Sequence, residues 1–511
     1  MIGNDVLVML AMLLYFVVVV VVGFIYAKRS NSSSEEYFLG GRGLGPWLTA
    51  LSAEASDMSG WLLMGLPGIA YFTGASDAMW TAIGLIIGTY LNWKFVAKRL
   101  RKYSEKAGNA ITVPDFFSNR FHDKKNILST VAAVIILLFF CVYTGSCFVT
   151  CGKLFNSLFG FDYMTAMIIS AAVIVAYCAT GGFMAASVTS LIQSIVMTAA
   201  LVIILIFGIN TAGGWDAVVA NAKDIPGYLS FTASTDIYAS SAGSYSALKI
   251  ASTLAWGLGY FGMPHILIHF MAAEDENKLK ISRRVGTVWV VISLSVAVVI
   301  GIIGYSMAKA GALVMPGTEA EAENMIVNSA ALLSTHGVFP AIVAGIIIAG
   351  ILAATMSTAD AQLLAAASGV THNILTDVFG IKLSDKKTMT IARVTVVGVA
   401  ILGVIFASDP NSSIFRVVSF AWAGFGATFG PVMLFGLFWK RCNKWGAMSG
   451  MIVGGVMVFV WKYLIAPLGG IFAIYELLPA FVISAIVIVV VSLLTPAPEK
   501  EIVEEFESVG K

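Results

Sequence analysis

Charge is what this chain has little of: only 12% of its 511 residues are Asp, Glu, Lys or Arg, while 58% are hydrophobic. That balance excludes a water-soluble globular protein, which could not bury so much apolar surface, and predicts a polytopic membrane protein set in a lipid bilayer. A formal net charge of +2 leaves no excess of either sign to recruit nucleic acid or an acidic surface partner. Cysteine is equally sparse. Cys141, Cys147, Cys151, Cys178 and Cys442 lie in or beside apolar runs without paired or metal-type spacing, and read as reduced packing residues. The first apolar run, 6–27, has no basic stretch before it and is too long for the core of a cleavable signal. No span carries a nucleophile–base pair or a metal-binding motif, so the chain is not expected to be an enzyme.

What is present is hydrophobic length. At ~20 residues per crossing, the chain divides into about 13 helices: 5–27, 44–72, 76–96, 128–158, 162–180, 186–211, 249–272, 285–310, 330–372, 388–407, 413–438, 446–466 and 472–495. Basic residues cluster after span 1 (Lys28, Arg29, Arg42), span 3 (Lys98, Arg99, Arg101, Lys102) and span 7 (Lys278, Lys280, Arg283, Arg284). They recur after span 9 (Lys382, Lys386, Lys387) and span 11 (Lys440, Arg441, Lys444). The loop 212–247 has only Lys223, and 311–329 carries Glu319, Glu321 and Glu323 with no base. The positive-inside rule then predicts an outside N-terminus and a cytoplasmic tail in the cell membrane.

Two spans are interrupted. In span 2, Ala53-Glu54-Ala55-Ser56-Asp57-Met58-Ser59-Gly60-Trp61 sets carboxylates, hydroxyls and a glycine between apolar flanks. An ionised side chain at the bilayer centre costs roughly 2.5–3.5 kcal/mol on insertion scales, so Asp57 must face protein, water or an ion. Ser, Asp and Gly are also poor helix-interior residues. The simplest reading is a helix that unwinds near mid-membrane and frees backbone groups for something small and charged; the alternative is a polar cluster that only joins helices. In span 7, Trp256-Gly257-Leu258-Gly259-Tyr260-Phe261-Gly262-Met263-Pro264-His265 puts three glycines and a proline in an apolar run, which unwinds or kinks it. Its G-x-G-x-x-G match follows no strand, so no dinucleotide site is expected. Spans 2 and 7 are five apart and run in opposite directions, the pattern of an inverted-repeat transporter with its site at mid-membrane. The expected organisation is a first helix and loop (1–43), a first repeat (44–211), an extracellular loop (212–248), a second repeat (249–440), spans 12 and 13 (441–495) and a tail (496–511).

A third polar cluster lies in span 9, Ala353-Ala354-Thr355-Met356-Ser357-Thr358-Ala359-Asp360-Ala361-Gln362. Ala354, Ser357 and Thr358 fall at i, i+3, i+4, so a carbonyl and two hydroxyls share one face. Uncharged oxygens at that spacing suit sodium, which must be released in each cycle. The alternative, that both hydroxyls bond back to their own helix, is common. His265 and His269 stand at i, i+4, but nothing supplies further metal ligands.

Leu39-Gly40-Gly41-Arg42-Gly43-Leu44-Gly45-Pro46, the segment 56–61 running on to Gly65-Leu66-Pro67-Gly68, the segment 256–265, Met356-Ser357-Thr358 and Ala421-Trp422-Ala423-Gly424-Phe425-Gly426 together resemble the sodium/solute symporter family, most nearly its bacterial sodium/proline symporters. The resemblance implies an all-α leucine-transporter fold with a 5+5 inverted repeat, alternating access, Na+ as coupling ion and import of L-proline or a similar small amino acid. It implies a sodium site made of the carbonyls of Ala55, Met58 and Ala354 and the hydroxyls of Ser357 and Thr358, with Asp57 needed for sodium affinity. Ser59 and Gly60 match positions tied to ion and substrate, and the implied pocket adds Trp61, Tyr143, Trp256, Tyr260 and Pro264, with Met263 beside them. Physical chemistry agrees: amides at the helix restart after Gly60 suit a carboxylate, and aromatic walls suit a flat apolar ring.

Four positions depart from those symporters. Glu54 stands for a small residue, Met263 for glutamine, Ser190 for an aspartate and Asp360 for a hydroxyl or small residue. Ser190 and Asp360 together form a candidate second cation site, for sodium or a proton. Met263 and Asp360 favour a second reading, the same fold carrying another small zwitterion or a monocarboxylate, or coupled to protons. A third reading, a sensor that binds without transport, is weakened by the short tail after Thr495.

Overall fold

In a bilayer the backbone can bond only to itself, and the apolar runs of this chain close into helices. The computed structural model describes residues 2–30, 33–235, 237–238, 241–376, 381 and 384–509. Lys382, Gly510 and Lys511, and the side chains of Lys28 and Arg29, lie outside the described set. The principal helices are α1 (Ile2–Ser30), α2 (Pro46–Asp57), α3 (Leu66–Thr73), α4 (Ala75–Leu91), α5 (Lys98–Lys106), α6 (Val113–Arg120), α7 (Ile127–Phe159), α8 (Tyr163–Thr211) and α9 (Ala247–Leu254). They continue as α10 (Pro264–Met271), α11 (Leu279–Lys309), α12 (Val338–Ser368), α13 (Asp385–Phe406), α14 (Ile414–Phe438), α15 (Lys444–Val460), α16 (Leu477–Leu494) and α17 (Lys500–Val509). Between α8 and α9 lies an antiparallel hairpin, β1 (Ala233–Thr235) and β2 (Ala242–Ser244), with Ser234 opposite Gly243.

Among the described residues, nine helices are long and apolar enough to cross a membrane, against the expected count of about 13. The other four expected spans miss that criterion for identifiable reasons. Span 2 breaks after Asp57, and span 7 is split among α9, a 3-10 segment (Ala255–Gly262) and α10. Span 3 is a 17-residue helix that passes through a π-helical stretch, Asn92–Ala97, into α5. Span 5 ends at Ala179, and the gap expected at 181–185 is a kink instead of a loop: Gly182, at φ 65° and ψ −178°, turns α8 sharply where a side chain would be strained.

The basic residues build one end of the bundle. The Arg42 guanidinium donates to the carbonyls of Met271 (2.7 Å) and Ala110 (2.8 Å) and to Ser104 Oγ (3.1 Å), closing the C-terminal end of α10. Burial, with Arg101 nearby, pushes its pKa down to about 10, which leaves it charged at neutral pH. At the other end, Glu323 lies wholly buried. Its carboxylate accepts from Lys153 Nζ (2.7 Å), Ser413 Oγ (2.9 Å) and the amides of Ile414 (3.0 Å) and Phe415 (3.1 Å), and so closes the positive end of α14.

The centre is held by glycine. Gly84 and Gly88 of α4 press against the 3-10 segment so closely that a Cβ on Gly84 would lie 2.5 Å from the Leu254 carbonyl oxygen, and one on Gly88 would strike the Gly257 carbonyl. On the opposite side a Cβ on Gly262 would lie 2.8 Å from the Gly430 amide nitrogen, and one on Gly426 2.8 Å from Gly259 Cα. Gly257 and Gly262 therefore serve backbone-to-backbone packing against α4 and α14, and Gly259 leaves room for the Trp422 indole.

Candidate functional site

The interruption in span 2 follows its composition. Helix α2 ends at Asp57, and Met58 leaves helical geometry at φ −81°, ψ 74°. The chain restarts through a π-helical turn, Trp61–Gly65, into α3. The freed Asp57 carbonyl accepts from the Ser59 amide (2.9 Å), the Trp61 indole (3.0 Å) and the Tyr143 hydroxyl (3.3 Å). Two restart amides are already engaged: Trp61 N by Ser59 Oγ (3.4 Å) and Leu62 N by the Ser59 carbonyl (3.0 Å). Gly60 abuts Thr150, whose Cβ would lie 2.9 Å from any added methyl.

Tyr260, in the 3-10 segment of span 7, donates its hydroxyl to Asp57 Oδ2 at 2.7 Å. Asp57 Oδ1 has no hydrogen-bond partner among the described residues, although Asp57 is fully buried. The Trp256 ring stacks on Trp61 (6.2 Å) and Tyr475 (5.2 Å) and lies tilted against Phe415 (5.2 Å) and Trp422 (6.2 Å), and Trp422 donates its indole N–H to the Trp256 carbonyl (2.7 Å). Met263 is extended and buried at the end of the segment, and Pro264 opens α10, where its missing N–H costs nothing. His265 packs edge-on to Phe140 (5.6 Å) and Tyr143 (6.1 Å), while His269 Nδ1 lies 2.7 Å from the His265 carbonyl oxygen.

Span 9 meets the break in span 2 from the other side. Ser357 Oγ donates to the Ala55 carbonyl at 2.7 Å and lies 3.0 Å from the Ala354 carbonyl, so one hydroxyl bridges two backbone oxygens on different helices. Thr358 Oγ1 is buried with no partner among the described residues. Uncharged oxygens that converge, one of them unpartnered, fit a monovalent cation better than a divalent one. Asp360 is 2% exposed, and neither of its carboxylate oxygens has a well-aligned hydrogen bond among the described residues, although the Cys178 thiol and the Tyr177 hydroxyl stand beside it. It lines a cavity of about 10 Å³, room for one water-sized occupant, with Tyr177, Cys178, Gly181, Gly182, Ala186 and Leu364 at the kink of α8. Ser190 is buried one turn beyond Ala186 and does not line that cavity.

Three supporting residues escape a reading of the sequence by motif. Asn92 donates to the Tyr260 carbonyl at 2.9 Å; a lone amide inside an apolar run was the available signal. Thr150 walls Gly60, and nothing in the local sequence announces it. Glu54 accepts from Thr89 Oγ1 (2.9 Å) and the Trp93 indole (2.6 Å), which makes it an anchor between α2 and the end of α4.

Two broken helices that share a buried carboxylate, backed by a helix of converging oxygens, are the architecture of a membrane transporter and not of an enzyme. The family model described as "Sodium:solute symporter family" matches residues 37–454. The chain belongs to the sodium:solute symporter family, and is a multi-pass protein of the cell membrane. Among its relatives, the high-affinity proline transporter PutP of Bacillus subtilis (strain 168) is 42% identical over 471 residues, 92% of this chain and 95% of that protein. The osmoregulated proline transporter OpuE of the same organism is 41% identical, over 91% of this chain and 90% of the relative. The sodium/proline symporter of Staphylococcus aureus is 41% identical, over 92% and 89%. A solved Na+-coupled sialic acid symporter, in a substrate-bound outward-open state, shares the fold with a TM-score of 0.78 at 17% identity, covering 97% of this chain and 99% of that one. The fold is thus that of leucine-transporter-type sodium symporters.

Proposed function

We propose that this chain is a sodium-coupled symporter that imports proline by alternating access to a site where the two broken spans meet. The Asp57–Tyr260 hydrogen bond carries the reading, because it ties the interruption beside the ion oxygens to the interruption that bears the aromatic wall. Relatives named for proline, at 41–42% identity over more than nine-tenths of the chain, support the solute. Sodium would be held by the carbonyls of Ala55, Met58 and Ala354 and the hydroxyls of Ser357 and Thr358, with Asp57 supplying the charge. Proline would lie against Ser59, Gly60, Trp61, Tyr143, Trp256, Tyr260, Met263 and Pro264. A seated ion fixes the broken backbone of span 2, and that same backbone forms part of the pocket. Ion and solute therefore raise each other's affinity by the same factor. Residues 44–211 and 249–440 form the two inverted repeats, the N-terminus lies outside, and the basic end of the bundle faces the cytoplasm.

Asp360 favours an addition to this scheme: its buried carboxylate would hold a second cation, with Ser190 one turn beyond the cavity on α8 as the nearest candidate to assist it. Met263, a departure from the glutamine that the family resemblance leads one to expect, favours a different small zwitterion or a monocarboxylate as solute. Uptake of radiolabelled proline into proteoliposomes, against a panel of competitors and under imposed sodium or proton gradients, tests the whole reading. Sodium-dependent proline uptake is expected; a competitor that abolishes it at lower concentration than proline itself would replace the solute.

A further inference from the structure

Helix α17 packs on the bundle without being part of any span. Ile502, Phe506 and Val509, at i, i+4 and i+7, turn inward, and Glu501, Glu504, Glu505 and Glu507 make the helix acidic. The Phe506 ring sits between two guanidinium groups, 4.6 Å from Arg99 Cζ and 5.0 Å from Arg120 Cζ, with Tyr103 edge-on at 6.4 Å. Glu505 Oε2 lies 3.1 Å from His122 Nε2, and Glu507 Oε1 lies 3.1 Å from Lys440 Nζ.

Arg120 is the centre of this contact. It is fully buried and donates Nε–H to the Gly436 carbonyl at 2.8 Å, while its Nη1 and Nη2 have no hydrogen-bond partner among the described residues. Burial pushes its pKa down. What offsets its charge are aromatic faces, Tyr103 at 5.2 Å, Phe121 at 5.0 Å and Phe506, together with the nearby Glu505 carboxylate. Removing α17 would take away one of these faces and open the others to water.

Helix α17 touches Arg99 and Tyr103, which continue α4 through α5, Arg120 and His122 at the end of α6, and Lys440 just past the end of α14; Arg120 in turn bonds to Gly436 of α14. Helices α4 and α14 are the pair packed backbone-to-backbone on either side of the broken segment of span 7. We propose that α17 is an ionic-strength-sensitive clamp, which ties the basic ends of α4–α5 and α14 together and so limits their movement about the broken segment. The Lys440–Glu507 pair is 62% and 54% exposed, and the screening length falls from ~8 Å at 0.15 M salt to ~3 Å at 1 M. Salt therefore weakens the charged grip of α17 and leaves its apolar stripe.

The clamp rests on the transport reading only for its consequence, so two measurements separate them. Hydrogen–deuterium exchange over 500–509, in purified full-length protein at low and high KCl, reads docking without reference to any solute. Exchange should rise about tenfold at high KCl in the parent, and should already be high at low KCl in Glu505→Gln/Glu507→Gln. Proline uptake into proteoliposomes at low KCl should be about threefold faster in that variant and in Phe506→Ala than in the parent, with the difference closing at high KCl. Exchange that ignores KCl, or equal uptake by all three proteins at low KCl, overturns the clamp. No uptake by any of them overturns the transport reading, and the exchange result then decides the clamp alone.

Discussion

The Tyr260 hydroxyl donates to Asp57 Oδ2 across 2.7 Å, the one hydrogen bond to that carboxylate among the described residues. Hydrogen bonds to charged groups contribute about 1.5–3 kcal/mol. Tyr260→Phe keeps the ring and removes the donor. It should raise the sodium concentration for half-maximal uptake about tenfold, and weaken solute binding with it. Unchanged sodium activation would mean that the hydroxyl serves only packing.

Ser357 and Thr358 should separate in a stability measurement. Ser357→Ala removes a bridge between α2 and α12 as well as an ion ligand, so it should lower the melting temperature without sodium and weaken sodium activation. Thr358 Oγ1 makes no hydrogen bond among the described residues, so Thr358→Ala should weaken sodium activation and leave the sodium-free melting temperature nearly unchanged. Normal sodium activation in Thr358→Ala would remove it from the ion site.

Gly60→Ala should nearly abolish uptake by driving a methyl into the Thr150 side chain. Adding Thr150→Ala removes the two nearest atoms and leaves Cβ at 2.9 Å, a clash that a small shift relieves, so part of the activity should return. If the double variant is as inactive as Gly60→Ala, the glycine does not serve to make room beside Thr150.

Asp360→Asn should reduce the uptake rate or its sodium dependence, because among the described residues it removes the one carboxylate that lines the cavity at the kink of α8. Adding Ser190→Asp should restore part of it if the two positions address one cation. A variant that matches the parent in rate and sodium activation would eliminate the second site.

The interruptions were legible because Asp57, Ser59 and Gly60, or three glycines and Pro264, violate what an apolar helix needs. The ion face of span 9 was legible as a helical spacing, i, i+3, i+4. The partners were not. Tyr260 reaches Asp57, Thr150 walls Gly60 and Arg120 receives Phe506 across separations of 203, 90 and 386 residues, and no local periodicity encodes such a pairing. Span 5 and span 6 were legible as two helices from length; what length could not give is that the non-helical Gly182 joins them by a kink instead of a loop. Glu54 reads in sequence only as a departure from a small residue, since only the fold brings Thr89 and Trp93 to its carboxylate.

The seam between Gly84, Gly88 and Gly257 has a mechanical meaning. Interlocked side chains behave as teeth, and one surface passes another only after rotamers reset along its length. Here two bare peptide surfaces touch, so the contact is a plain bearing: it slides without meshing and has no notches to stop in. Its clearance is a single hydrogen atom at each position, and a methyl on Gly257 would strike the Gly84 carbonyl. Ease of motion and intolerance of substitution come from the same missing carbon.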